Sequence, residues 1–205
     1  MLKSSAVVTL FSLLLLSCGG DDVNAPEAEK ISHRGYNENR LDGFVAAIND
    51  GFKFIETDIR IREGKPILLH DDVECSDCTH LAELLALAQN NDVTLFLEFK
   101  ESEAIDVSLQ IISQYNVDVV LSSFKVSDLV YINSISDYSL AFITSSYYDL
   151  ANLPSIDYLI INQVNIDKCV ATIKCVAWTI HNGIQYYDVM YKVDYVMVDH
   201  YRSIP

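Results

Sequence analysis

Fourteen basic against twenty-nine acidic residues leave this chain of 205 residues with a formal net charge of −15 and no Lys/Arg cluster, which argues against a nucleic-acid partner. Half of the residues are hydrophobic, which excludes a disordered chain and supplies one domain with a sizeable core rather than two. The same balance repels an anionic ligand at long range, so any anion site has to be local, built from a few convergent cations or a bound metal.

The chain opens Met1-Leu2-Lys3, continues in an apolar run from Ala6 to Leu16 and then reads Ser17-Cys18-Gly19-Gly20. A positive start, an apolar segment and a small-residue end are the parts of a secretory signal, and the run is too short to span a bilayer as a mature helix. Leu15-Leu16-Ser17-Cys18 resembles a bacterial lipobox. That resemblance implies a lipoprotein signal peptide over 1–17, an acylated Cys18 and a protein exported and lipid-anchored to the bacterial cell envelope. An ordinary secretory signal that happens to contain a cysteine is the plainer alternative. Residues 18–29 are polar, with Gly-Gly, Asp-Asp and a Pro, and read as a flexible tether; the folded domain is expected over 30–205.

From there short runs rich in Ile, Val, Phe and Tyr recur at 30–32, 53–59, 66–69, 94–99, 117–121, 140–143, 158–161, 175–180 and 195–198. Between them lie stretches with apolar residues at three- and four-residue spacing, at 41–50, 81–89, 104–115 and 127–132. Strand, helix, strand in repetition means a parallel sheet with crossover helices. About eight strands predict a compact (β/α)8 TIM-type barrel. The chain is short for that fold, so distortion is expected, with some helices cut to a turn or two or missing. No Gly-rich phosphate loop of the dinucleotide-binding kind follows the first strand.

The informative feature is charge inside apolar strands. In Phe54-Ile55-Glu56-Thr57-Asp58-Ile59, Ile55 and Ile59 face one side while Glu56 and Asp58 face the other. In Leu95-Phe96-Leu97-Glu98-Phe99-Lys100 the same parity puts Leu95, Leu97 and Phe99 against helices, with Glu98 and Lys100 toward the barrel interior. Three carboxylates at one mouth are costly without compensation, and a hard divalent cation supplies it. The plainer reading is acids at exposed strand ends, paired with Lys or Arg. Two histidines, His33 and His70, also end apolar runs, and barrel enzymes carry their chemistry at C-terminal strand ends.

Four further cysteines, Cys75, Cys78, Cys169 and Cys175, form an even set, which in an exported protein favours disulfides with three possible pairings. A four-thiolate zinc site is the sharper alternative, because Cys75-Ser76-Asp77-Cys78 has ligand-like spacing.

His33-Arg34-Gly35, Glu38-Asn39, Gly51, Ile55-Glu56-Thr57-Asp58, His70-Asp71 and Glu98-Phe99-Lys100 stand in the order and spacing of the H-R-G, E-N, G, I-E-x-D, H-D and E-x-K series of the glycerophosphodiester phosphodiesterases, which the chain resembles. Ser122-Ser123-Phe124, Val176-Ala177-Trp178-Thr179 and Val198-Asp199 resemble the later elements of that family. The resemblance implies metal-dependent hydrolysis of glycerophosphodiesters to sn-glycerol 3-phosphate and an alcohol. It implies one divalent cation, calcium or magnesium, held by Glu56, Asp58 and Glu98, with His33 and His70 as general acid and base. Arg34 and Lys100 then contact phosphate oxygens. Trp178 is a candidate for the substrate pocket and equally a core residue. The nucleophile is either water or a hydroxyl of the substrate's own glycerol.

The chain departs from the family in the stretch between His70 and Glu98. Only twenty-seven residues separate them, so the cap that relatives carry there is reduced and a more open site is expected. Two other readings follow: a related barrel phosphodiesterase acting on intact phospholipid, and a noncatalytic surface-anchored binding lipoprotein. The full set of charged and titratable site residues argues against the latter. The expected partners are a small-molecule substrate and, through Cys18, a membrane.

Overall fold

The computed structural model describes residues 26–146, 148, 150–199 and 204. The expected signal peptide, Cys18 and most of the expected tether lie outside the described residues. In chain order the elements are β1 (Glu29–His33), α1 (Leu41–Asn49), β2 (Phe54–Arg62), β3 (Lys65–Leu68), α2 (Leu81–Asn91), β4 (Thr94–Phe99), α3 (Ile105–Ile112), β5 (Val119–Ser123), α4 (Val126–Ile135), β6 (Ser139–Thr144), β7 (Tyr158–Asn162), β8 (Lys174–Ile180), α5 (Gly183–Val189) and β9 (Tyr195–Val198).

Eight of these strands close into a barrel in the order β1-β2-β4-β5-β6-β7-β8-β9, every neighbour parallel, with β9 returning to β1. This is the expected (β/α)8 architecture. The shortness of the chain falls on its second half: after β6 and β7 only 3-10 turns stand in place of helices, at Leu150–Asn152 and Gln163–Lys168.

The run expected as a strand at 66–69 is not a barrel stave. It is β3, the return arm of a hairpin that pairs antiparallel with the outer half of β2, Arg62 opposite Lys65. His70 therefore reaches the mouth from a returning chain, not from the end of a parallel strand. α5 has no counterpart among the expected helices; at seven residues it is too short for an apolar period to stand out.

Strand parity sorts the core into two shells. Outward side chains Ile55, Ile59, Leu95 and Leu97 pack with Phe44, Leu84 and Leu85 of the helices. Inward side chains Ile31, Phe96, Val120, Ile160, Val176 and Met197 fill the lumen. Each such fully buried aliphatic or aromatic side chain contributes about 1.5–3 kcal/mol. The N-terminal end of the lumen is closed by aromatic rings, Phe54 on Tyr195 at 5.2 Å and Tyr158 on Tyr195 at 5.9 Å, with Lys174 Nζ 5.1 Å from the Tyr158 ring centre. Polar side chains thus have room inside only at the opposite end, where the strands finish.

The cysteines pair locally, Cys75 with Cys78 and Cys169 with Cys175. They do not gather into a zinc site: among the described residues the one group spaced to hold a metal ion is Glu56, Asp58 and Glu98.

Candidate active site

Register alone assembles the acidic group. His33 lies opposite Glu56 across β1 and β2, and Asp58 lies opposite Glu98 across β2 and β4, so four inward-facing groups meet at the C-terminal ends of three adjacent strands. One ligand oxygen from each of Glu56, Asp58 and Glu98 lies within 4.8 Å of the others, and all three residues are buried.

Two cations face these acids. Lys100, just past β4, places Nζ 2.8 Å from Glu98 Oε1 and 3.4 Å from Asp58 Oδ1. Arg34 places Nε 3.1 Å from Asp58 Oδ2 and Nη1 3.3 Å from Glu38 Oε2. Its backbone takes a left-handed turn at φ 55°, followed by Gly35 at φ 64°. A Cβ on Gly35 would come within 2.8 Å of Phe44 Cδ1, so the chain can turn against α1 here only as glycine. Asn39, buried and also left-handed, donates Nδ2 to Asp58 Oδ2 at 3.0 Å and accepts from Thr57 Oγ1 at 2.8 Å.

The electrostatics are unbalanced. Burial, then the Asp58 charge, raises Glu98 to about 7, with Lys100 and Arg34 pulling the other way. Burial, Asp58 and Glu98 together push Glu56 well above the ordinary carboxylate range. Asp58 Oδ1 is buried with no hydrogen-bond partner, although Lys100 Nζ stands 3.4 Å away. Three buried carboxylates against two cations, with one oxygen unsatisfied and two protonation equilibria displaced upward, form a donor set that fits a hard divalent cation taking oxygen ligands.

His33, Arg34, Glu56, His70, Glu98 and Lys100 form the polar wall of one cavity of about 120 Å3. The opposite wall is apolar, made by Phe124, Ile143, Ile160, Trp178 and Met197, with the Phe124 and Trp178 rings edge to face at 5.8 Å. Trp178 is anchored by its Nε1, which donates to the Thr144 carbonyl at 3.3 Å. Every expected site residue within the described residues is therefore brought to this one place, Asp58 immediately behind the wall.

Each histidine has its Nδ1 engaged by a carboxylate, His33 by Asp199 Oδ1 and His70 by Asp71 Oδ1 at 2.7 Å. That pairing favours Nδ1–H and leaves the proton-accepting lone pair on Nε2. His33 Nε2 lies 3.7 Å from Glu56 Oε2. The sequence reading missed Asp199 as a site residue, and with it His181, whose Nδ1 takes the other Asp199 oxygen at 2.9 Å. Asp199 had a signal, since it shares parity with the inward Met197. His181 had none, because a register shift between Ala177 and Ile180 breaks the alternation of β8.

The model of the glycerophosphoryl diester phosphodiesterase family matches residues 32–107, the segment that carries both histidines, both cations and all three acids. That match covers a little over a third of the chain. A comparison with curated proteins finds no match. Among solved structures the chain is similar to an Oleispira antarctica phosphodiesterase in complex with the product sn-glycerol-3-phosphate, at 20% identity and TM-score 0.77, over 85% of this chain and 94% of the other. It is similar to the glycerophosphoryl diester phosphodiesterase domain of a Mycobacterium tuberculosis protein, at 11% identity and TM-score 0.59, over 85% and 97%. It is also similar to a calcium-dependent phosphatidylinositol-specific phospholipase C from Streptomyces antibioticus, at 9% identity and TM-score 0.60, over 86% and 94%. At these identities the likeness is one of fold.

Proposed function

We propose that this chain belongs to the glycerophosphoryl diester phosphodiesterase family and hydrolyses glycerophosphodiesters to sn-glycerol 3-phosphate and an alcohol. The observation that carries the reading is the meeting of two carboxylate-paired imidazoles, two cations and three buried acids on one wall of one cavity.

Glu56, Asp58 and Glu98 hold one divalent cation, calcium or magnesium. When bound, it neutralises the excess acid and acts as a Lewis acid toward phosphoryl oxygens. Arg34 and Lys100 flank that position and bind the phosphate, which offsets the long-range repulsion set by the net charge of −15. His33 and His70 exchange protons through Nε2, one removing the proton of the attacking hydroxyl and the other protonating the leaving alkoxide. Asp199 and Asp71 hold the two rings in the required tautomer and stabilise the imidazolium that forms. The apolar wall of Phe124 and Trp178 receives the carbon skeleton of the substrate and keeps water from the phosphate on that side.

The protein works at the cell envelope, exported by residues 1–17, acylated at Cys18 and tethered by residues 18–29 to a catalytic domain over 30–205. The test of the function is glycerol 3-phosphate release from glycerophosphocholine by the purified protein with calcium, with magnesium and with chelator. Cation-dependent release is expected. Silence in all three conditions would overturn the reading.

A further inference from the structure

Asp199 receives an imidazole on each of its oxygens: His33 Nδ1 on Oδ1 and His181 Nδ1 on Oδ2, the latter at 2.9 Å. Its carboxyl is held below the ordinary range although burial opposes this, because the His33 hydrogen bond and the charges of His33, His181 and Arg34 favour the anion. An aspartate with one partner can still rotate about its terminal torsion and present either oxygen. One with an imidazole nitrogen against each oxygen cannot turn without breaking both contacts.

His181 is itself firmly placed. It follows β8 directly, and the last residue of that strand, Ile180, accepts a hydrogen bond from Asp199 N at 3.1 Å, which ties the two strand ends together. The His181 N–H donates to Gln185 Oε1 at 2.7 Å, and Gln185 N–H donates to Asn182 Oδ1 at 3.1 Å. Asn182 and Gln185 so form the start of α5 and fix the His181 backbone in the same stroke. The side chain of His181 is half exposed and lies outside the residues that line the cavity. Contact with the reacting atoms is thus not its task.

We propose that His181 is a positioning residue that acts through Asp199: it holds Oδ2 so that Oδ1 keeps the His33 ring in one tautomer and one orientation, with Nε2 toward the phosphodiester. The inference rests on the acid–base assignment of His33 made above.

Three outcomes are expected in steady-state assays on glycerophosphocholine. His181→Ala lowers kcat about tenfold with KM within twofold, in the range that supporting residues behind a functional ligand show. His181→Asn, whose amide Nδ2 can reach Oδ2 as the imidazole Nδ1 does, recovers most of that loss. The double variant His181→Ala/Asp199→Asn is no slower than Asp199→Asn alone, because His181 has nothing left to position. A purely structural role predicts a fall in melting temperature and an additive double variant instead. An unchanged kcat in His181→Ala, additivity, or failure of the Asn variant to recover activity each overturns the proposal. His33→Ala separates the two levels: if it stays active, the assignment of His33 fails; if it is inactive while His181→Ala is unimpaired, only the inference about His181 fails.

Discussion

Arg60 sets two arms of its guanidinium on the backbone carbonyl of His70, Nε at 3.0 Å and Nη2 at 2.9 Å, and gives Nη1 to Glu101 Oε1 at 2.8 Å. Glu101 is the neighbour of Lys100, and its Oε2 accepts from Ile61 N–H at 3.0 Å. One side chain therefore ties the returning loop of His70 to the strand end of Lys100. His70 needs such a tie because it does not sit on a barrel strand. Arg60→Met keeps the aliphatic stem and loses the clamp, so kcat should fall about 10- to 100-fold while the cation-induced rise in melting temperature persists. Arg60→Lys, a point charge without the fork, should recover only part. Full activity in Arg60→Met would show that the loop holds His70 unaided.

The raised carboxyls make a statement about stability. With Glu98 held at about 7 and Glu56 also displaced upward, the cation-free folded chain keeps protons that the unfolded chain releases in the ordinary carboxylate range. Folding then binds protons through that window, so stability declines as pH rises from about 5 through 7. The melting temperature of chelator-treated protein should fall from pH 5 to pH 8, and calcium or magnesium should restore it more at pH 8 than at pH 5. Glu98→Gln removes one displaced carboxyl while its Oε1 still accepts from Lys100. It should flatten the decline, stabilise the cation-free protein by about 1–3 kcal/mol at pH 8 and weaken cation binding. Scanning calorimetry across pH decides this; a decline equally steep in Glu98→Gln would remove Glu98 as its source.

His33 and His70 can be assigned separately. Each alanine variant should lose turnover of glycerophosphocholine while keeping its fold, since His70 is partly exposed and His33 faces the cavity. A phosphodiester with a p-nitrophenyl leaving group needs no proton on departure. The variant lacking the general acid should regain activity on that substrate, and the one lacking the base should not. Recovery by both variants would mean that neither removes the proton of the nucleophile.

The barrel was legible because a parallel strand buried on both faces reads as a short apolar run, and these runs recur. The acidic group was legible for a sharper reason: Glu56, Asp58 and Glu98 interrupt such runs at positions whose parity sends them inward. What escaped depends on long-range geometry. Pro66 to Leu69 is as apolar as a stave, and only its pairing partner makes β3 the arm of a hairpin. Asp199 meets His33 across 166 positions of sequence, a closure made by β9 returning to β1. Phe124 was legible as part of a motif, but its place opposite the charged wall follows from the barrel's curvature, with β5 and β8 meeting across the lumen.

Residues 27 and 28 lie at the end of the barrel away from the cavity. Ala28 N–H donates to the Met190 carbonyl at 2.8 Å and Tyr186 Oη pairs with Glu27, both beside the start of β1, whereas the cavity opens where β1 ends at His33. On the proposal that Cys18 carries an acyl anchor, the described chain begins away from the mouth, and anchoring and turnover should be separable. Cys18→Ser should move the protein from the membrane fraction to the soluble fraction with kcat and KM for glycerophosphocholine unchanged. Fractionation followed by assay tests both halves: a variant that stays with the membrane rules out the acyl anchor, and a soluble variant that has lost activity shows that the anchored end and the mouth are coupled.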